Sequence, residues 1–451
     1  MAYSFRHVEG FQTVRIVVHD YSGHPFQVQL SRELAWQGHQ VLHLYSASFP
    51  TPKGPLQRRP DDPPSFSVEG IGLDEPFDKY SHFARRRRQE IRYGKKAARR
   101  IAEYRPDLLL SGNTPLDAQS VLQSAARELD AKFVFWLQDV YSAGIGACLR
   151  KKHFPLASAV GTWYSRLEGR LLRSSDAVVI VSPDFRPALN DWDVMPGRIH
   201  TIPNWAPWNE LRARPPDNAW SREHGLAGKF VLLYAGTLGM KHNPRLLVDL
   251  AEAMQGYPDA MVAVVSEGFN ADWLGTEASA RGLGNLKTIP LQAWERMPEV
   301  LSAGSVLLAL LDAEAGAFSV PSKVLSCMCV GRPLLVSVPS HNLAAHIVSD
   351  SGAGLVTPAG DSAALISAAQ RLYGDPVLRT RCGANAVAWA RNTFDIRRIA
   401  ARFDAVFEVG RTPSSAPAPR SGSPRPSRPT GASAAVRGDR PTGGNMQLIS
   451  K

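Results

Sequence analysis

Cysteine is scarce: the 451 residues hold only Cys148, Cys327, Cys329 and Cys382. Their spacing suits neither a disulfide framework nor a metal site. Cys327 and Cys329 fall in a helical pattern, where residues two apart face different ways. All four read as buried thiols of a reducing cytoplasm. No apolar run reaches the roughly 18 residues that a spanning helix needs. The opening MAYSFRHVEG has no signal-peptide core, so no leader is expected. Asp191-Trp192-Asp193 mimics a metal-binding DxD. It precedes Pro196-Gly197 in a helix-to-strand connection with no phosphate loop beside it, so no metal is expected there.

What is present fits a globular protein of two or three domains: 44% hydrophobic and 21% charged residues. The formal charge is +11 and unevenly spread. Residues 412–451 carry +5 and Arg85–Arg100, RRRRQEIRYGKKAARR, carries +8, which leaves −2 for everything else. Phe83, Ile91, Ala97, Ala98 and Ile101 accompany that run, so it reads as a basic surface helix over about 83–104 with Gly94 a weak point. Each basic residue near an anionic leaflet is worth about 1 kcal/mol. An anionic membrane surface is therefore an expected partner. Nucleic acid is not, because base stacking needs aromatic residues interleaved with the basic ones. Beyond Arg411, Pro, Ser, Gly and Arg dominate, and the composition is that of a disordered tail.

Between these segments short apolar runs alternate with helical periods, the pattern of a parallel doubly wound sheet. Strands are expected at Val14–His19, Val41–Tyr45, Leu108–Leu110, Phe133–Leu137, Ala177–Val181 and Ile199–Ile202. The plan then repeats at Phe230–Tyr234, Met261–Val265, Leu286–Ile289, Val306–Leu310, Leu334–Val338 and Gly354–Val356. WAPWNELRARPP breaks the period near Asn204–Pro216. This gives domains at 1–205 and 206–411, and a tail at 412–451. Asn204 reads as a structural residue of the connecting loop.

Two turns carry chemistry. Val320-Pro321-Ser322-Lys323 opens a short helix, so free backbone N–H groups and an ammonium meet at an end that attracts anions. Gly331 and Pro333 then lead into a buried strand. Upstream, Ala235-Gly236-Thr237-Leu238-Gly239-Met240-Lys241 follows a strand directly. Glycine there lets the backbone approach a phosphate, and Lys241 adds a point charge. It is neither a Walker loop nor GxGxxG. Together the turns suit a diphosphate, held by Lys241 and Lys323 with the amides of Gly236, Thr237 and Ser322. After the first strand, Ser22-Gly23-His24 lies at a carboxyl end and faces the same cleft by the sheet rule. Gly23 and His24 are candidate donor or acceptor contacts. Asp139, after the strand ending at Leu137, can orient an acceptor hydroxyl or take its proton. It can equally cap the next helix.

YAGTLGMKHNP, VPSKVLSCMCVGRPLL, the Asn342-to-Leu355 stretch and IVVHDYSGHPFQVQLSRELAWQGHQV together resemble glycosyltransferase family 4, in its colanic-acid and exopolysaccharide branch. The resemblance spans about residues 13–408. It implies a GT-B fold, an α/β architecture of two Rossmann-like domains facing across a cleft. It also implies a nucleotide-diphosphate sugar donor, retention of configuration, no cofactor and no required metal. In relatives the last helix crosses back to the first domain, a role for Ala386–Phe407. Glu267 resembles a family turn residue on the nucleotide side. Many members place two glutamates eight positions apart ahead of the Gly-x-Pro turn. Phe318 and Ser326 stand there, and Ser326 offers a ribose only a hydroxyl.

The expected activity is a hexosyl transfer from a UDP- or GDP-sugar to a glycan or polyprenyl-diphosphate-linked acceptor. The expected place is the cytoplasm, peripheral at the inner membrane face. The alternatives are a sugar-nucleotide epimerase on the same fold, and an inactive nucleotide-sugar-binding subunit.

Overall fold

The computed structural model describes residues 13–51, 53–77, 83–151, 153–239, 241–315 and 323–408. These lie in one compact unit containing two sheets. The first sheet holds β1 (Arg15–Asp20), β2 (Gln40–Ser46), β3 (Phe66–Ile71), β4 (Leu108–Gly112), β5 (Lys132–Leu137), β6 (Ala177–Ile180) and β7 (Ile199–Thr201). Their order is β3-β2-β1-β4-β5-β6-β7, parallel throughout. The second holds β8 (Phe230–Ala235), β9 (Ala260–Val265), β10 (Leu286–Ile289), β11 (Val306–Leu310), β12 (Leu334–Ser337) and β13 (Gly354–Thr357). Its order, β10-β9-β8-β11-β12-β13, is also parallel. In both sheets connections leave the first strand one way and return the other. A crevice therefore opens at the carboxyl ends of β1 and β4, and of β8 and β11.

The central strands are nearly continuous apolar runs because helices cover both faces. β3 escapes the apolar-run reading: it is an edge strand in which Phe66 alone is fully buried. Gly70 on it packs under Tyr45, whose ring leaves no room for a Cβ.

Five helices dress the first sheet: α1 (Pro25–Trp36), α2 (Phe83–Tyr104), α3 (Leu116–Glu128), α4 (Tyr141–Lys151) and α5 (Ala157–Arg173). Pro25 stands at the first turn of α1, whose Leu30 and Leu34 are wholly buried. In α2 the basic run is one helix. Gly94 is not a weak point but a contact: a Cβ there would lie 3.1 Å from the Ala118 backbone of α3. Most of its cations are locally paired, Arg86 with Glu90, Arg87 with Asp117, Arg92 with Glu75, Lys96 with Asp74 and Arg100 with Glu69. Four of those carboxylates lie outside the segment, so its field is weaker than +8 implies.

The expected crossover helix is two helices, Pro376–Thr393 and Ile396–Glu408. The second packs on the first sheet. Phe403 meets Trp136 edge-on at 4.9 Å and Trp205 at 6.2 Å. Arg402 donates to the Thr201 carbonyl at 2.6 Å, and His39 lies 3.3 Å from Asp404. Cys327, Cys329 and Cys382 are buried and Cys148 is half-buried; all are free thiols.

Candidate active site

The turn after β8 is held open by its neighbours. Gly236 adopts φ +124°, a conformation that favours glycine. Its N–H is spent on the Val265 carbonyl at 2.9 Å, so the expected free amide is not there. The Thr237 amide makes no hydrogen bond among the described residues. Ser266 accepts from the Leu238 N–H at 3.1 Å, and Asn270 donates to Leu238 and Gly239 carbonyls at 3.0 and 3.3 Å. The turn is thereby pinned to the end of β9.

Lys323 opens the short helix Lys323–Met328 after β11. Its ammonium sits 3.6 Å from the centre of the Tyr234 ring and donates to the Tyr234 hydroxyl. It also reaches the Thr237 carbonyl at 3.4 Å, and a Cβ on Gly236 would lie 3.8 Å from it. The Tyr234 hydroxyl itself donates to Thr237 at 3.0 Å. Burial pushes the Lys323 pKa down to about 7. Among the described residues no carboxylate repairs that loss; the neighbour below is the Cys327 thiol, itself pushed up to about 12 by burial. The ammonium is therefore short of an anion.

Lys241 reaches across to the first sheet, its Nζ 3.1 Å from Asp139 Oδ2, both side chains about one-third exposed. Asp139 does not cap α4. That task falls to Glu168 of α5, whose wholly buried carboxyl accepts from the Tyr141 and Ser142 amides at 3.0 and 2.9 Å. Burial raises the Glu168 pKa to about 7, against the pull of those bonds. Asp139 is left free to face Lys241. Burial, with Lys323 and then Lys241 as charges, drives the His242 pKa down to about 3, so both lysines border one imidazole.

Lys241, Lys323, Asp139, Gly236 and Thr237 thus come together. Ser326 lies one turn beyond Lys323, half-buried, its hydroxyl without a hydrogen bond among the described residues. Glu267 is exposed beside the pinned turn, without a partner among the described residues, and Phe269 next to it is 83% exposed. Pro321, Ser322 and Phe318 lie outside the described residues. Asp191 and Asp193 are exposed around Trp192, whose indole covers Gly169. Among the described residues no three metal-binding side chains converge.

The turn after β1 is organised differently. Gly23 has φ +76°, and a Cβ there would lie 2.8 Å from Leu56. The buried Asp20 accepts from the Ser22 amide at 3.0 Å and from the His24 amide. Burial raises its pKa while those bonds lower it. His24 stacks on Phe26 at 5.8 Å. No hydrogen bond or ion pair joins Gly23 or His24 to the lysine cluster among the described residues. Asp20, Tyr234 and Glu168 went unmarked in the sequence. Only Asp20 carries a signal, a carboxylate ending an apolar strand.

The Glycosyltransferase Family 4 model matches residues 26–207, and the Glycosyl transferases group 1 model matches residues 217–389. The chain is 26% identical over 113 residues to a putative colanic acid biosynthesis glycosyl transferase, WcaI, of Escherichia coli K12, covering 25% of this chain and 28% of that protein. It is 27% identical over 166 residues to alpha-D-kanosaminyltransferase of Streptomyces kanamyceticus, covering 36% of this chain and 41% of that one. Both alignments span less than half of the relative. Among solved structures, Anabaena Alr3699/HepE in complex with UDP-glucose superposes with a TM-score of 0.65 at 18% identity, covering 88% of this chain and 99% of that chain. That likeness is one of fold, the two-sheet GT-B arrangement. With the two family regions in sequence across most of its length, the chain belongs to glycosyltransferase family 4.

Proposed function

We propose that this glycosyltransferase moves a hexose-type sugar from a UDP- or GDP-sugar to a glycan or a polyprenyl-diphosphate-linked acceptor, with retention, in surface polysaccharide synthesis. One observation carries the reading: a desolvated ammonium, Lys323, set against the Gly236–Thr237 turn with no carboxylate partner among the described residues, and a second, Lys241, bordering the same imidazole. A leaving nucleotide diphosphate gains negative charge, and fixed cations stabilise that charge most in the transition state. They do so in the place a metal would otherwise take. Asp139, released from capping, would orient the acceptor hydroxyl once a diphosphate draws Lys241 away. The exposed Phe269 ring, at the edge of the same pinned turn, would stack on the nucleobase. UDP-glucose bound to Anabaena Alr3699/HepE on this fold makes a UDP-sugar the first donor to try.

A second reading, an inactive nucleotide-sugar-binding subunit, is favoured by Phe318 and Ser326 standing where family members carry glutamates. Labelled nucleotide sugars with a membrane extract separate the two. Label moving into lipid or glycan supports transfer. Saturable binding without turnover supports the subunit, and altered free sugar nucleotide supports an epimerase. Absence of any nucleotide-sugar binding would overturn all three.

A further inference from the structure

Four of the eight large apolar side chains most exposed among the described residues crowd one corner of the first sheet's layer: Phe83 at 38%, Phe154 at 39%, Leu156 at 62% and Trp163 at 45%. They belong to the start of α2, the α4–α5 connection and the first turns of α5. Phe83 and Trp163 meet through Tyr164, and Leu156 lies two turns before Trp163 at the start of α5. Phe83 meets Tyr164 edge-on at 6.1 Å, Trp163 meets Tyr164 at 4.6 Å, and the Arg87 guanidinium lies 5.2 Å over the Trp163 ring. Soluble surfaces scatter such residues singly, and a cluster marks a binding face.

The charge carried by α4, α5 and their connection is nearly all of one sign. Tyr141–Arg173 holds six Arg and Lys and a single carboxylate, Glu168, which is buried under the α4 amides. That is +5 hidden within the −2 of the chain outside its two basic segments. Arg150, Arg166 and Arg170 are exposed, and none makes an ion pair among the described residues. Along α5 the exposed positions Trp163, Arg166 and Arg170 recur at helical spacing, an aromatic residue followed by cations on one outward stripe. Apolar tips followed along α5 by guanidinium groups that make no ion pair among the described residues complement an anionic bilayer: rings and leucine enter the acyl boundary and arginines meet phosphates.

We infer that the α4–α5 corner, with Phe154, Leu156 and Trp163 inserted, docks the enzyme on an anionic lipid surface. The basic run of α2, largely paired within the fold, contributes the lesser part. α4 begins beside Asp139 and runs 11 residues, about 16 Å, to this corner. A lipid-linked acceptor on the bilayer would stand within a few sugar units of the Asp139–Lys241 pair. Docking itself does not depend on the proposed transfer.

The test is co-sedimentation of the full chain with phosphatidylglycerol-rich vesicles and with pure phosphatidylcholine. Wild type should bind the first and not the second. It should keep part of that binding in 1 M salt, where the screening length falls to about 3 Å. Leu156→Asp with Trp163→Asp should lower vesicle binding about tenfold or more. The same pair should leave the melting temperature and nucleotide-sugar affinity unchanged, and Leu156→Phe should retain binding. Unaltered sedimentation of the double variant, or equal binding to neutral vesicles, would overturn the inference. So would a wild-type dimer in light scattering that the same substitutions disperse, because the corner would then face a second copy. Lost nucleotide-sugar binding with vesicle docking intact would instead strike the transferase reading alone.

Discussion

The turns after β1 and β8 hold equivalent places in sheets of equivalent order, and they are built on opposite charge. After β1 a buried carboxylate, Asp20, gathers the Ser22 and His24 amides inward, so those donors are spent before any ligand arrives. After β8 an under-solvated ammonium, Lys323, stands over an aromatic ring, and among the described residues a carbonyl and a phenol accept from it. One turn is electrostatically closed and the other is open to an anion. The difference explains how two similar folds divide the work. On the proposed transfer, a donor diphosphate would be drawn to the second crevice rather than the first, which would leave the first for the acceptor's hydroxyl.

The largest expected effect breaks that asymmetry at its source. Lys323→Ala removes the charge-assisted bond to the donor, worth about 1.5–3 kcal/mol, and should weaken nucleotide-sugar binding roughly 10- to 150-fold by calorimetry, with turnover falling further. The melting temperature should hold or rise, because a half-buried cation that desolvation disfavours is gone. Unchanged affinity would mean that the anion site lies elsewhere. Asp20→Asn is the mirror experiment. It halves the acceptor capacity facing two amides, and should cost about 1–3 kcal/mol of stability in denaturant unfolding while donor affinity stays put.

A third measurement sharpens the contrast through pH. In the free protein Lys323 titrates near 7, below its ordinary range, because burial disfavours the charged form. A bound diphosphate favours that form and raises the pKa. Nucleotide-sugar affinity should therefore be greatest below pH 7 and decline by up to about tenfold per unit above it, with a proton taken up on binding. The same depressed value means that this residue's cost to folding is full below pH 7 and is relieved as pH rises toward the unfolded value. Lys323→Arg should flatten the affinity profile. A wild-type profile flat from pH 6 to 9 would remove the titrating lysine from donor binding.

Much of this architecture was legible in the sequence, for a physical reason. Strands covered by helices on both faces are unbroken apolar runs, and twelve of the thirteen strands were expected within two residues of where they stand. β3 was missed because an edge strand need bury only one residue. Lys241 could be marked because a glycine turn after a buried strand has few uses, and Lys323 because it stands at a Pro-Ser helix start that attracts anions. Tyr234 could not be marked, since nothing in Phe-Val-Leu-Leu-Tyr says that the last ring ends beneath a cation 89 residues away. Nor could Glu168 be found as the cap of α4, because it arrives from another helix, 26 and 27 positions later. The Arg85–Arg100 run looked like bare charge because its partners Glu69, Asp74, Glu75 and Asp117 are distant in sequence. The sparser cations of α5 carry no signal in the sequence, because which cations lack an ion partner among the described residues is a property of the fold.

The smallest effect concerns the Lys241–Asp139 ion pair, which joins the two crevices. Lys241 and Asp139 are each about one-third exposed, so their attraction is screened and worth about 0.2–1 kcal/mol. Lys241→Ala and Asp139→Asn should each change stability by no more than that. Their effects on the two substrates should differ in kind. Lys241→Ala should weaken donor binding several-fold, by removing the lesser of the two cations. Asp139→Asn frees Lys241 for the diphosphate, so it should leave donor affinity equal or slightly improved while turnover onto acceptor drops. A double-mutant cycle read by donor affinity should then show the Asp139 gain only when Lys241 is present. If Asp139→Asn weakens donor binding as much as Lys241→Ala does, the carboxylate serves the donor side as well. The division of labour between the crevices would then fail at its one point of contact.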